Sequence, residues 1–73
     1  MLTQAEANEF ESQAREAGAY RAEVYVGHAG YGVRVWPTKN HAPWHITDLR
    51  GKRRDEVMTD LKRSIGDTPE IQP

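Results

Sequence analysis

The chain has 73 residues, 37% hydrophobic and 29% charged, with ten Lys and Arg against eleven Asp and Glu, a formal net charge of −1 and no cysteine. A chain of that length forms one domain that buries only about 60% of its unfolded surface, so its core is thin and a deep catalytic cleft is hard to build. The absence of cysteine excludes disulfides, thiolate nucleophiles and thiolate metal sites, and the near-neutral balance argues against a protein drawn to nucleic acid by overall charge.

Thr3 followed by Glu6 has the spacing of a capping box and predicts a helix start. Ala7, Phe10, Ala14 and Ala17 then recur at steps of three and four, giving one narrow apolar stripe with a single large anchor, Phe10. Gly18 is the expected stop. Small alanines allow this helix to lie close against a sheet while Glu9, Gln13 and Glu16 face water.

From Tyr20 the period becomes two. Tyr20, Ala22, Val24 and Val26 alternate with Arg21, Glu23 and Tyr25, and beyond Gly27-His28-Ala29-Gly30 the alternation resumes as Tyr31, Val33 and Val35 against Gly32, Arg34 and Trp36. This predicts a hairpin whose valines face the helices and whose other face carries Arg21, Glu23, Tyr25, Arg34 and Trp36. Gly32 inside a strand marks a bulge or the close approach of a backbone, a ring or a ligand. Pro37 and Pro43 bound a polar loop, and Trp44 to Leu49 reads as a third, shorter strand with Trp44 and Ile46 on one face and His45 and Thr47 on the other. Gly51 separates it from a second helix with the stripe Val57, Met58, Leu61 and Ile65, closed by Gly66. The expected core is Phe10, Val24, Val33, Val35, Leu61 and Ile65. The fold class is α+β: a single domain over residues 1 to 66, in the order αβββα, with two helices on one face of a three-stranded antiparallel meander. Residues 67 to 73 read as a flexible C-terminal tail, too poor in apolar residues to anchor itself.

Several constellations of reactive residue types are present without the context their chemistry needs. His41 and His45 would share a helix face, but Pro43 stands between them, and His28 falls in the hairpin turn, so no metal site is expected. Ser12 and Ser64 have no His and Asp partners at recognisable spacing. The glycines from Gly27 to Gly32 lack the strand-then-helix setting and the Lys-Ser/Thr of a phosphate loop. Neither enzymatic activity nor a cofactor is expected. No apolar run approaches the roughly 20 residues of a membrane span, and Met1 to Glu6 lacks the basic and apolar regions of a signal peptide, which points to the cytoplasm and away from a membrane partner.

Two groups of residues instead suit binding. Arg21, Tyr25, Arg34 and Trp36 combine flat aromatic surface with guanidinium groups, the materials of a protein hot spot and of a base-stacking platform. The second group is Arg50, Lys52, Arg53 and Arg54. These four cations near a helix N-terminus oppose the helix dipole, which selection for stability alone would avoid. They contrast with Glu6, Glu9, Glu11 and Glu16 in the first helix, which suggests acidic and basic segments at opposite ends of the fold. The order helix, three strands, helix, together with Lys52-Arg53-Arg54 at the start of the second helix, resembles the double-stranded RNA-binding domain, a family that grips phosphates at that position. The resemblance implies nucleic-acid binding through these residues. The acidic, alanine-rich first helix, the short hairpin loop and the negative net charge depart from that family's pattern. The leading expectation is therefore a small regulatory or inhibitory module that recognises a protein or ribonucleoprotein partner, with direct nucleic-acid binding as the alternative.

Overall fold

The computed structural model describes residues 1 to 66. The elements run in the order α1 (Gln4–Glu16), β1 (Arg21–Val26), β2 (Tyr31–Trp36), β3 (Trp44–Ile46) and α2 (Arg53–Gly66), a small α+β domain built on a three-stranded antiparallel sheet of order β1-β2-β3. The tail expected from residue 67 onward lies outside the described residues.

Both ends of α1 form as local chemistry dictates. The Thr3 hydroxyl accepts the Glu6 amide at 3.1 Å while Glu6 Oε1 accepts the Thr3 amide at 2.8 Å, closing the capping box. At the other end Ala17 is the C-cap and Gly18 takes φ 105°, a left-handed conformation that costs a glycine little. Its amide donates to the Arg15 carbonyl, and the Ala19 amide donates to that of Ala14, the paired bonds of a Schellman motif.

The register of the hairpin is Ala22 with Val35, Glu23 with Arg34, Val24 with Val33 and Tyr25 with Gly32, so the period of two maps onto two distinct faces. The inner face meets both helices. Ala7, Phe10 and Ala14 from α1, Ala22, Val33, Val35 and Ile46 from the sheet, and Val57 and Leu61 from α2 are buried together with Leu2. Phe10 and Leu61 are the largest side chains wholly removed from water, and by area alone each contributes roughly 1.5 to 3 kcal/mol.

The core departs from expectation at its margins. Val24 and Ile65 are only partly buried, and Val26, expected against the helices, is 73% exposed. The path of α1 explains this. The chain enters at Leu2, bridged to Tyr31 on the β3 side of β2, and leaves near Arg15, whose guanidinium reaches the Ala22 carbonyl at 2.9 Å. The helix therefore crosses the sheet diagonally and leaves the hairpin end of β1 uncovered. Leu2 was absent from the expected core and is one of its members. Its amide donates to the Tyr31 carbonyl at 3.0 Å and its carbonyl accepts the Tyr31 amide at 2.9 Å. That bridge fills the edge of β2 next to Tyr31, where Asp48 would pair if the β3 register continued, and β3 accordingly ends at Ile46 instead of reaching Leu49.

Gly51, at φ 59°, turns the chain into α2, whose first amide, that of Arg53, donates to the Arg50 carbonyl. Asp55 and Glu56 in the first turn offset the cations beside them with respect to the helix dipole.

Candidate binding surface

Side chains of Arg21, Glu23 and Tyr25 from β1, Arg34 and Trp36 from β2 and His45 from β3 project from the sheet face opposite the helices. Two stacked pairs organise that face. The Arg21 guanidinium lies over the Trp36 ring at 5.2 Å from its centroid, and Arg34 lies over Tyr25 at 4.7 Å. Both pairs follow from the register, because Arg21 stands directly opposite Trp36, while Arg34 stands one diagonal step from Tyr25. Glu23 joins them: one carboxylate oxygen accepts from Arg21 and the other lies 3.8 Å from Arg34 Nη1.

Gly32 lets this arrangement exist. It stands opposite Tyr25, and a Cβ built on it would sit 2.6 Å from the Tyr25 Cζ and hydroxyl oxygen. Of the alternatives open in the sequence, the approach of an aromatic ring is the one realised. The ring lies flat across the glycine, receives Arg34 on its face and meets the His45 imidazole edge-on at 6.1 Å. Side chains of Arg21 and Arg34 keep 58% and 40% of their surface in water, so both guanidinium groups retain donors for a partner. Each such stack is worth about 0.5 to 1 kcal/mol at an exposed site.

The basic segment is less unified than its sequence suggests. Arg50 turns back on Asp48, whose Oδ1 accepts both the Arg50 amide and its Nε at 3.1 Å. The backbone amide bond first, then the side-chain bond, lowers the Asp48 carboxyl below its ordinary value. Arg54 reaches Glu9 of α1 at 3.4 Å. This contact corrects the expectation that acidic and basic segments lie at opposite ends of the fold: the inner-face docking of both helices brings them side by side. Among the described residues, Lys52 and Arg53 make no salt bridge. Arg53 lines a cleft of about 300 Å³ between α2 and β3 together with Trp44, His45, Ile46, Val57 and Asp60, which links the first turn of α2 to the outer sheet face through His45.

Arg21, Tyr25, Arg34 and Trp36 are thus brought together, whereas Arg50 is turned to Asp48 and Arg54 to Glu9, and of the basic segment Lys52 and Arg53 make no salt bridge among the described residues. Two members of the surface were not singled out from sequence, Glu23 and His45. The alternation places both on the outer face, but a carboxylate between two arginines becomes a hub only once the strand register is known. The histidines do not converge: His28 sits in the hairpin turn, His41 packs edge-on against Trp44 and His45 against Tyr25. Among the described residues no helix is long and apolar enough to cross a membrane. Comparison of the chain with protein-family models, with curated proteins and with solved structures finds no match.

Proposed function

We propose that this protein is a small non-enzymatic regulatory or inhibitory module of the cytoplasm that binds a protein or ribonucleoprotein partner through its outer sheet face, with Lys52 and Arg53 at the margin of the contact. The observation that carries this reading is the pair of stacks, Arg21 on Trp36 and Arg34 on Tyr25, joined by Glu23 on a face that neither helix covers. Aromatic and arginine side chains supply most hot-spot energy in protein interfaces. Here they are held in place by one another and by Gly32, which reduces the ordering cost of binding. The lack of cysteine agrees with a reducing compartment.

The alternative is nucleic-acid binding, favoured by Lys52 and Arg53 at the start of α2, which make no salt bridge among the described residues. Salt separates the two readings, since phosphate contacts release counterions. Capture of partners from total cellular protein is compared between the native chain and Trp36→Ala, alongside titration of a labelled RNA duplex at two salt concentrations. The protein reading expects a specific partner lost with Trp36→Ala, and duplex affinity no tighter than about 10⁻⁴ to 10⁻⁶ M at physiological salt. Tight duplex binding, with a log–log salt slope that shallows by roughly 2 to 3 when Lys52, Arg53 and Arg54 all become Ala, overturns it in favour of nucleic acid.

A further inference from the structure

Among the described residues no strand lies beside the β1 edge of the sheet, whose order is β1-β2-β3. In the hairpin the Gly27 amide donates to the Gly30 carbonyl, and the Tyr31 amide and carbonyl bond to Leu2, away from β1. Arg21, Glu23 and Tyr25 therefore direct their backbone groups toward β2, while those of Ala22, Val24 and Val26 point outward from the edge. Natural edges are usually guarded by charge, proline or a covering element. The guard here is Arg15, and it covers only the Ala22 carbonyl. Among the described residues no hydrogen bond occupies the outward backbone groups of Val24 and Val26, and Val26 presents an apolar side chain that is 73% exposed.

We propose that β1 is a dimerisation edge, pairing antiparallel with β1 of a second copy about a two-fold axis centred at Tyr25. Three two-fold registers pair at least two of Ala22, Val24 and Val26 with residues of that same set, whereas centring on Ala22 or on Val26 leaves a single one of them bonded to its own copy. Centring on Glu23 sets that carboxylate against its own copy and also requires the Ala22 carbonyl. Centring on Val24 pairs Ala22 with Val26 and again competes with Arg15. Centring on Tyr25 pairs Val24 with Val26 of the second copy and the reverse, uses only backbone groups that no hydrogen bond occupies among the described residues, and covers the exposed Val26. It sets Glu23 opposite a glycine, Gly27, so no like charges meet. The two Tyr25 residues face each other across the axis without collision, because each ring leans back over Gly32. The result is a continuous six-stranded sheet that presents two outer faces side by side. This inference stands apart from the proposed binding role, since it rests on the edge and not on the stacks.

The test is sedimentation of the native chain from roughly 10 µM to 1 mM, a range suited to a short edge contact. A monomer–dimer equilibrium is expected, weakened at least about tenfold by Val26→Lys, a gatekeeper substitution at a side chain the monomer fold does not bury. Amide exchange at Val24 and Val26 should slow as concentration rises, while the monomer's circular dichroism stays unchanged in the variant. The absence of cysteine allows the register to be read directly: a Tyr25→Cys chain should cross-link to itself readily and a Glu23→Cys chain poorly. A chain that stays monomeric at about 1 mM, a dimer indifferent to Val26→Lys, or preferential cross-linking through position 23 overturns the proposal.

Discussion

Replacing Gly32 by alanine tests whether the outer face is organised as the geometry indicates. Gly32 does not have a positive φ, so its backbone accepts a side chain without strain. In an ordinary strand, alanine would then be favoured over glycine by about 0.5 to 1 kcal/mol. The new methyl, however, enters the space of the Tyr25 ring, 2.6 Å from its Cζ. Because that ring end is the tip of a rotatable side chain, it swings away, and the Arg34 stack worth about 0.5 to 1 kcal/mol goes with it. The ring also loses its packing on the glycine. The terms nearly cancel, so Gly32→Ala alone should change stability by less than about 1 kcal/mol, in the destabilising direction. In a Tyr25→Ala background the opposing terms are absent, and the same substitution should stabilise by about 0.5 to 1 kcal/mol. Urea unfolding of the four chains, followed by far-ultraviolet circular dichroism, measures the coupling, expected at about 1 kcal/mol or more. Equal effects of Gly32→Ala in both backgrounds would falsify the claim that the glycine is there for the ring.

Three further outcomes follow from the packing and the local electrostatics. Leu61→Ala removes a wholly buried side chain from α2 and should cost about 2 to 5 kcal/mol in denaturant unfolding; a change of a few tenths would mean that α2 does not dock on the core. Glu9→Gln breaks an ion pair whose side chains are 30% and 60% exposed, so the loss should stay under about 1 kcal/mol and shrink in high salt; a larger, salt-independent loss would contradict an exposed contact. The Asp48 carboxyl should titrate below the ordinary aspartate value in a carbon-detected NMR titration. Arg50→Ala should reverse the shift only in part, since the leading cause is the backbone amide, which survives the substitution. For this depressed carboxyl, any stabilisation is present above the unfolded-state value and is lost as pH falls through the folded one. Full reversal in Arg50→Ala would place the cause in the side chain.

The elements were legible in the sequence because they are fixed by neighbours along the chain. The capping box at Thr3 and Glu6, the left-handed Gly18 and the two strand alternations each act within a few residues, and the αβββα order follows from them. The same alternation sorted Arg21, Tyr25, Arg34 and Trp36 onto one face, since side chains two apart on a strand cannot do otherwise. Tertiary structure decided what depends on contacts between distant segments. Leu2 became core and cut β3 short because it occupies the stretch of the β2 edge that a longer β3 would need, and Val26 stayed in water because α1 crosses the sheet diagonally. Arg54 found Glu9, 45 residues away, so that part of the basic segment was spent inside the fold while Lys52 and Arg53 were left facing outward. Periodicity assigns a residue to a face, but only the packing of one element on another determines whether that face is covered, and by what.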